Sequence, residues 1–154
     1  MEPNSLGLCK LPEQTKVCVA MSGGVDSSAT VYLLKKQGYD VFGLTMDLLQ
    51  PPYAPAVSSI ADAAKVAQKL GVEHEYINMK DDFRRDVIDY FANSYLSGQT
   101  PSPCIMCNKQ IKLGRLAEEA RKRGADILVT GHYAEVRMTE TGAELYRGAN
   151  PVRD

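Results

Sequence analysis

No apolar run in the 154-residue sequence approaches the roughly 18–20 residues that a membrane-spanning helix needs. The first fifteen residues lack the basic start and apolar stretch of a secretion signal. There is no internal repeat and no low-complexity tract, and 18 Lys and Arg nearly balance 19 Asp and Glu. These absences exclude the membrane, collagen-like, disordered and secreted disulfide-rich classes. The balanced charge neither indicates nor excludes a nucleic-acid binder, because a local basic patch is sufficient.

Cysteine is scarce, with only four residues. Without a secretion signal we expect a cytoplasmic protein, whose thiols are more often catalytic or metal-binding than cross-linked. Cys9 falls in an N-terminal segment and Cys18 in a predicted buried strand. Cys104 and Cys107 lie close together behind prolines, and only this pair is expected to have a chemical role.

The length and the 44% hydrophobic content indicate one domain with its own core. Residues 1–15 are expected to be a flexible extension and residues 16–154 to form the domain. Strands are predicted at 17–21, 41–46, 73–79 and 127–130, with helices beginning at 26, 60, 81 and about 108. The helix at 81–95 is predicted to turn four side chains to the core: Phe83, Val87, Tyr90 and Phe91.

This alternation predicts an α/β fold, Rossmann-like, with a parallel sheet and helices on both of its faces. Residues 134–147, with Thr141 and Gly142 as the turn, predict a C-terminal β-hairpin. The last residues, 148–154, form no closing element. We therefore expect the domain to be cut short before the rest of a longer enzyme.

The strongest local signal is the segment 22–28, which follows the first strand and opens the first helix. Two glycines permit a tight turn whose N–H groups can reach phosphate oxygens, and the helix N-terminus adds further donors. Ser22, Ser27 and Ser28 carry hydroxyl donors, and Asp26 is a candidate Mg²⁺ ligand. No Lys-Ser/Thr follows, so the segment is not a Walker A loop, nor is it the Rossmann fingerprint. The alternative is a plain Gly-Gly turn with Asp26 as the helix N-cap.

The second signal is the run from Thr100 to Lys112, which places Cys107 at a predicted helix start. There the positive end of the helix would lower the pKa of the thiol, and Lys109 and Lys112 would act in the same direction. A thiolate beside a nucleotide site is a good nucleophile or sulfur carrier. Three other interpretations stay open: a redox dithiol, two thiols without a role, or a zinc site completed from His74, His132, Cys9 and Cys18.

The Ser-Gly-Gly-x-Asp-Ser loop after the first strand resembles the pyrophosphatase (PP) loop of the ATP-pyrophosphatase group, whose fold is of the adenine nucleotide alpha-hydrolase type. Further stretches narrow the resemblance. They are residues 20–28, Gly43-Leu-Thr-Met46, the Pro-x-Pro-x-x-x-Cys-Asn-Lys-x-Ile-Lys run at 101–112, Thr130-Gly-His-Tyr133 and Tyr146-Arg-Gly148. Together they resemble the tRNA-specific 2-thiouridylase family (MnmA/TrmU), in its N-terminal ATP-pyrophosphatase domain, from Lys16 onward.

This resemblance implies an enzyme that uses ATP and Mg²⁺ to replace the C2 oxygen of the wobble uridine of tRNA by sulfur. The uridine oxygen is adenylated with release of pyrophosphate, and sulfur from a cysteine persulfide then displaces AMP. The partners would be the anticodon region of tRNA, with its target base flipped out, and a protein that donates a persulfide. Because the family's persulfide-bearing cysteine lies beyond residue 154, we expect this chain to bind ATP without completing the sulfur transfer.

The resemblance also assigns residues. Cys107 would be the catalytic nucleophile that attacks the persulfide. The ATP site would consist of Ala20, Met21, Ser22, Gly23, Gly24, Val25, Asp26, Ser27, Met46 and Gly131. The target base would contact Ser102, Pro103 and Cys104, and tRNA would contact Arg153 and Asp154.

One position departs from the family, which often has an aspartate where this chain has Cys104. The change weakens an acid–base role there, and it makes Cys104 and Cys107 candidate ligands of a [4Fe-4S] cluster if a third cysteine completes the site. His132 is interpreted equally as an ordinary loop residue or a catalytic base, and Asp47 as a Mg²⁺ ligand or a cap.

Two further questions stay open at this point. The basic residues of the predicted helix at 107–123 form either a face for tRNA phosphates or a solvated surface. For the function, the alternatives are another ATP-pyrophosphatase with a different RNA or small acceptor, and an ATP- or metal-binding module without turnover.

Overall fold

The computed structural model describes residues 2–49 and 59–149. Four strands, β1 (Lys16–Ala20), β2 (Asp40–Asp47), β3 (Glu73–Asn78) and β4 (Ile127–Val129), form one sheet in the order β3-β2-β1-β4. All three pairings are parallel. The predicted strands and the parallel sheet are confirmed, with β1 in the interior of the sheet between β2 and β4.

In the described part of the chain, four helices accompany these strands. Helix α1 is Val25–Lys36 and α2 is Ser59–Leu70. Helix α3 is continuous over Lys80–Phe83, Arg84–Ile88 and Asp89–Leu96, and α4 over Pro103–Met106, Cys107–Arg115 and Leu116–Lys122. The middle segment of α3 and that of α4 are π-helical, with hydrogen bonds spanning five residues instead of four. A short 3₁₀ turn, Pro12–Gln14, precedes β1.

Helix α4 begins earlier than the predicted start near residue 108. Pro103 occupies its first turn, where a missing N–H costs nothing and the fixed φ angle of proline suits a helix. Pro103, one of the two prolines that were expected only to interrupt the chain, therefore opens this helix.

The core has two parts because successive side chains of a strand point to opposite faces of the sheet. Val17 and Val19 of β1 pack on one face with Val31 of α1 and Ala63 of α2. On the other face the core is formed by side chains from β1, β2, α3 and α4. They include Cys18, Phe42, Leu44, Val87, Ile111 and Leu116. Helices therefore cover both faces, as predicted.

The predicted inward face of α3 is only partly correct. Val87 is buried and Phe83 packs against the second part of the core, but Phe91 is 41% exposed and makes an edge-on contact with Tyr95. The π-helical segment Arg84–Ile88 widens the helix before Phe91. A periodicity of 3.6 residues does not hold across such a segment, so the prediction of a buried Phe91 is wrong.

The hairpin predicted after the sheet is also present. Strands β5 (Ala134–Thr139) and β6 (Gly142–Arg147) pair antiparallel, with Ala134 opposite Arg147. On its surface the guanidinium of Arg137 lies 4.4 Å from the ring centre of Tyr146.

The segment before β1 contacts the domain. Ser5 and Tyr39 share a hydrogen bond between their hydroxyls, and Leu6 packs against the part of the core beside α1 and α2. The flexibility expected for residues 1–15 stays a prediction. Within 2–49 and 59–149, no helix combines the length and apolarity that a membrane crossing requires.

A substitution in the interior strand β2 tests this packing. Leu44 is fully buried at the centre of the sheet, so Leu44→Ala is expected to lower the free energy of unfolding by about 2–5 kcal/mol. The control, Leu145→Ala on the hairpin, removes a side chain that is 76% exposed and should change it by no more than about 0.5 kcal/mol. Urea unfolding followed by circular dichroism measures both, and equal losses would contradict this core.

Candidate functional site

A cleft of about 200 Å³ opens where β1, β2 and β4 end. In parallel sheets ligands bind beyond the carboxyl ends of the strands. The cleft is lined by Ala20, Met21, Ser22, Asp26, Ser27, Met46, Lys112, Thr130, Gly131 and His132. The structure thus brings together most of the residues predicted for the ATP site, from three strand ends that are far apart in sequence. Gly23, Gly24 and Val25 belong to the same loop but are not part of the lining.

The entry to the loop is fixed by β2. The N–H of Met21 donates to the Leu44 carbonyl over 2.8 Å, and the Met21 carbonyl accepts from the buried hydroxyl of Thr45 over 2.8 Å. The Met21 side chain fills the space over Gly43, where a Cβ atom would lie 2.3 Å from the Met21 sulfur. Both backbone groups and the side chain of Met21 are therefore held before the loop begins.

Hydrogen bonds inside the loop shape its turn. The Ser27 hydroxyl donates to the Gly24 carbonyl over 3.2 Å, and the Ser28 hydroxyl donates to the same carbonyl over 2.7 Å. The Ser22 N–H in turn donates to the Ser27 oxygen over 3.3 Å. In this structure Ser27 and Ser28 donate their hydroxyl hydrogens to the loop itself, so these two hydroxyls stabilise the turn.

Helix α1 begins at Val25 with Gly24 as its N-cap, and no side chain caps it. The alternative in which Asp26 is the N-cap is therefore wrong. Asp26 lies in the first turn, where its Oδ1 accepts a 2.7 Å hydrogen bond from the Tyr133 hydroxyl. The first N–H groups of a helix have no partner within the helix, and together with the helix dipole they favour a bound anion.

Two glycines allow close approaches around this loop. Gly23 has a φ of +77°, and a Cβ atom there would lie 2.9 Å from Asp62 Cβ and 3.0 Å from the Ala63 nitrogen at the start of α2. A Cβ atom on Gly131 would lie 3.2 Å from the Ser27 nitrogen. The loop is therefore packed between α2 and the loop after β4, with no room for side chains at either position.

Three residues of the cleft lining, Lys112, Thr130 and His132, were not predicted for the ATP site. Lys112 was expected only to act on Cys107 or to add charge to the helix surface. It reaches the cleft because α4 is π-helical over Cys107–Arg115. Cys107 and Lys112 are separated by the five-residue hydrogen-bond spacing of a π-helix, which a pattern of 3.6 residues does not predict. In the sequence, the one indication that Lys112 belongs to the site is its position as the last residue of the motif at 101–112.

Cys107 lies half-buried in the second turn of α4 and packs against the core beside α3. Burial raises the pKa of its thiol, and the Lys112 ammonium opposes that rise. The predicted lowering of the pKa by the helix N-terminus is wrong because the helix begins at Pro103 rather than at Cys107. Lys112 lowers the pKa of Cys107 as expected, but burial raises that pKa by more.

The other residues predicted to contact the target base form the start of α4. Ser102 is its N-cap, Pro103 follows in the first turn, and Cys104 is exposed. None of the three lines the cleft. Arg153 and Asp154 lie outside the described residues.

Burial of part of the His132 ring lowers its pKa, and Lys112 lowers it further. His132 is therefore uncharged at neutral pH, and its Nδ1 shares a 2.7 Å hydrogen bond with the Thr130 hydroxyl. An uncharged imidazole can accept a proton, so both interpretations of His132 remain open.

The described residues fit Mg²⁺ better than they fit a metal held by protein side chains alone. Asp47, the other candidate ligand, forms a 2.8 Å ion pair with Lys80, which leaves Asp26 in the cleft. One carboxylate suits Mg²⁺, which takes most of its remaining ligands from phosphates and water.

An iron–sulfur cluster or a zinc ion does not fit the described part of the chain. No group of three or more His, Cys, Asp or Glu residues there could hold a metal ion. Cys104 and Cys107 supply two thiols, Cys9 is exposed, and burial raises the pKa of Cys18 to about 12. The described residues therefore do not bring together the three cysteines that the cluster prediction requires, and we derive no step through a cluster.

Three of the six basic residues at 107–123 have acidic partners. Arg115 lies 3.3 Å from Asp82 of α3, and both Lys122 and Arg123 pair with Glu119 over 2.7 Å. Ion pairs reduce the positive charge that this helix would present to phosphates. They favour the solvated-surface interpretation for these three residues, whereas Lys112 contributes its charge to the cleft.

The packing of the loop can be tested at Gly23. An Ala there would adopt an unfavourable φ at a cost of about 1–2 kcal/mol and would also press on α2, which typically costs about 1–3 kcal/mol more. Gly98 is a matched control, with a φ of +74° and nothing within 4 Å of an added Cβ. Urea unfolding should therefore show a larger loss for Gly23→Ala than for Gly98→Ala, and equal losses would contradict the close approach to α2.

The charge effect on Cys107 can be tested by alkylation. Since the thiolate is the reactive form, the rate with iodoacetamide should rise about tenfold per pH unit below the raised pKa of Cys107. Lys112→Met removes the opposing charge, raises this pKa further and should slow the reaction roughly threefold at pH 8. Lys109→Met, at an exposed position of the same helix, is the control. Mass spectrometry of the Cys107 peptide gives both rates, and equal slowing by both variants would contradict a specific effect of Lys112.

Comparison with known proteins supports the family resemblance that the sequence motifs indicate. The family model described as the tRNA methyl transferase HUP domain matches residues 15–154. The curated relatives include the tRNA-specific 2-thiouridylase MnmA of Rhodospirillum centenum, 48% identical over 98% of this chain and 40% of that protein. They also include MnmA of a Bradyrhizobium strain, 50% identical over 91% of this chain and 37% of that protein. The chain thus spans about two fifths of the length of these relatives.

Among solved structures, a protein described as a predicted subunit of tRNA methyltransferase from Methanocaldococcus jannaschii has a TM-score of 0.55 and 28% identity, over 77% of this chain and 53% of that one. The U34-tRNA thiolase NcsA from Methanococcus maripaludis, solved with its [4Fe-4S] cluster, has a TM-score of 0.58. Its identity is 23%, over 84% of this chain and 41% of that one, so this likeness shows the fold alone.

The family match covers nearly the whole chain, and the relatives carry the name of the family that the sequence motifs resemble. That resemblance is confirmed. The chain belongs to the tRNA methyl transferase HUP domain family and is, within it, a relative of the tRNA-specific 2-thiouridylases.

Proposed function

We propose that this chain is the ATP-pyrophosphatase domain of a tRNA 2-thiouridylase, which activates the wobble uridine with ATP and replaces its C2 oxygen by sulfur. One observation carries the proposal: the cleft assembles Ser22, Asp26 and Ser27 of the glycine loop with Met46, Lys112 and Gly131 at the carboxyl ends of three parallel strands. The names of the relatives support the acceptor, tRNA, and the reaction, thiolation. Because the chain spans two fifths of those relatives, the activity belongs to the complete protein.

The cleft divides into a part for phosphates and a part for the nucleoside. The turn at Gly24 and the first N–H groups of α1 suit the phosphates, and Lys112 adds a positive charge to the lining of the cleft. Met46 and Gly131 provide apolar and backbone surface for the nucleoside. Asp26 would hold Mg²⁺, which supplies positive charge beside the phosphates. The chain is thus arranged to bind ATP with its phosphates at the start of α1.

The first chemical step needs charge stabilisation more than covalent participation by the protein. The uridine O2 attacks the α-phosphorus, an O–P bond forms, and the bond to pyrophosphate breaks. The negative charge that develops on pyrophosphate faces the N–H groups of α1 and the Lys112 ammonium. Such fixed donors stabilise developing charge without reorganisation. The step converts a poor leaving group at C2 into AMP.

The second step delivers sulfur. In this proposal Cys107 is the nucleophile that attacks a persulfide, and the released sulfur displaces AMP from C2. Its half-buried thiol requires deprotonation, which the Lys112 charge favours. The donor is a protein persulfide, the substrate is the anticodon region of tRNA, and the reaction takes place in the cytoplasm.

The products of ATP distinguish this function from its alternatives. With α-labelled ATP and tRNA, the complete gene product that contains this chain should release AMP and pyrophosphate in a tRNA-dependent manner. A different acceptor would remove the dependence on tRNA, and a binding module would release neither product. Formation of ADP instead of AMP would contradict every ATP-pyrophosphatase interpretation.

Two variants assign the residues in the same assay. Asp26→Asn should lower the rate of pyrophosphate release about 100-fold, since it removes the carboxylate proposed for Mg²⁺. Asp40→Asn, at an exposed position where β2 begins, is the matched control. Cys107→Ser should abolish tRNA thiolation while ATP still binds, as measured by calorimetry. Thiolation by Cys107→Ser at the wild-type rate would refute the role of Cys107.

A further inference from the structure

Two consecutive hydrogen bonds connect β3 to the start of the glycine loop at 22–28. The Nε2 of His74, on β3, lies 2.8 Å from the hydroxyl oxygen of Thr45, on β2. The same hydroxyl donates over 2.8 Å to the carbonyl of Met21, the residue between β1 and the loop. A side chain at one end of the sheet is thereby connected to the loop across the neighbouring strand.

The chemistry of the partners fixes the direction of both bonds. A backbone carbonyl can only accept, so the single hydrogen of the Thr45 hydroxyl is used by Met21. The Thr45 oxygen must then accept from His74, whose Nε2 therefore carries a hydrogen. Burial lowers the pKa of His74, which keeps the ring uncharged at neutral pH. The ring is thus held as its Nε2–H tautomer, and this nitrogen is not available to a metal ion.

Gly43 of β2 makes room for this arrangement. It lies opposite His74 in the pairing of β2 with β3, and it shares a face of the sheet with Thr45 two residues later. A Cβ atom on Gly43 would lie 3.2 Å from Cδ2 of His74 and closer still to the Met21 sulfur. The imidazole ring and the Met21 side chain both use the space that a larger residue at Gly43 would fill.

Burial makes this connection important for the loop. Thr45 is 2% exposed, so water does not replace a lost partner of its hydroxyl. Met21 is followed directly by Ser22, the first residue of the loop. In a fully paired buried network each partner restricts the orientation of the next. Without His74 the Thr45 hydroxyl loses one of its two partners, and the point where the chain leaves β1 is held less firmly.

We propose that His74 is a positioning residue for ATP: it holds the phosphate-binding loop in place through Thr45 and Met21 without contacting the nucleotide. His74 does not line the cleft, so its effect on ATP passes through the loop. The loop offers backbone N–H groups to phosphates, and donors that are already fixed bind an anion with less loss of freedom than mobile donors. The inference rests on the proposed function and adds a residue of β3 to the groups that serve it.

The test measures ATP binding by calorimetry, with Mg²⁺ and without tRNA, in the complete gene product that contains this chain. His74→Gln keeps an N–H donor at the same number of bonds from the backbone as Nε2, whereas His74→Leu removes it. The control is Tyr76→Leu, two residues further along β3 at a position that is 62% exposed. Circular dichroism confirms that the variants fold.

His74→Leu should raise the Kd for ATP about tenfold, because a buried hydrogen bond in the network is lost. His74→Gln and Tyr76→Leu should change the Kd by less than about twofold. An unchanged Kd in His74→Leu would overturn the proposal. So would equal weakening by Gln and Leu at this position, since the N–H donor would then have no part in the effect.

A double variant shows whether His74 acts through Thr45. Thr45→Val removes the hydroxyl that joins His74 to Met21, so adding His74→Leu to it should weaken ATP binding no further. Effects that multiply in the double variant would contradict the connection. Nitrogen-15 NMR of the wild-type protein, with the His74 signal assigned by its loss in His74→Gln, should show the Nε2–H tautomer. The Nδ1–H tautomer would refute the proposal even if a variant failed to fold.

These measurements separate the inference from the proposed function. Wild-type affinity for ATP in His74→Leu, together with tRNA-dependent release of AMP and pyrophosphate, would retain the proposed function and reject the role of His74. A wild-type protein that binds no ATP would reject the proposed function, and the role of His74 toward ATP would fall with it.

Discussion

The attachment of Met21 to β2 is the constraint on which the site depends. Met21 connects the interior strand β1 to the glycine loop, and its N–H and its carbonyl both bond to β2, through the Leu44 carbonyl and the Thr45 hydroxyl. Thr45 is itself held by a 2.8 Å hydrogen bond to His74. Buried polar groups that are fully paired fix one arrangement of the chain. The loop therefore starts from a defined point, and α2 and Gly131 pack against it on either side.

The charge of Lys112 acts in both steps of the proposed chemistry, the adenylation of the uridine and the delivery of sulfur. It lies in the cleft with Asp26 and Ser22, and it acts on both Cys107 and His132. The π-helical segment of α4 makes this possible because it changes which side chains share a face. Gly114 accompanies the segment, and a Cβ atom there would lie 3.0 Å from the Lys109 carbonyl. The cleft proposed for adenylation and Cys107 are thus linked through one wide helical segment rather than through the loop.

The strands, the parallel sheet and the loop could be predicted because each has a local signal. Buried parallel strands give continuous apolar runs such as residues 17–21, and a strand–glycine–helix order indicates a phosphate site. The errors lie where no local signal exists. Phe91 is exposed and Lys112 lines the cleft because π-helical segments break the 3.6-residue period. The pKa of Cys107 depends on burial by residues far away in sequence and on the true start of α4 at Pro103.

The cleft and Cys107 are proposed to serve the thiolation of the wobble uridine, and the nucleosides of cellular tRNA show whether this modification depends on the protein. tRNA is isolated from source cells that lack the gene, digested to nucleosides and analysed for 2-thiouridine derivatives by mass spectrometry. These nucleosides should disappear from the wobble position, and the wild-type gene should restore them, whereas the Cys107→Ser gene should not. Unchanged 2-thiouridine in the cells without the gene would contradict this function.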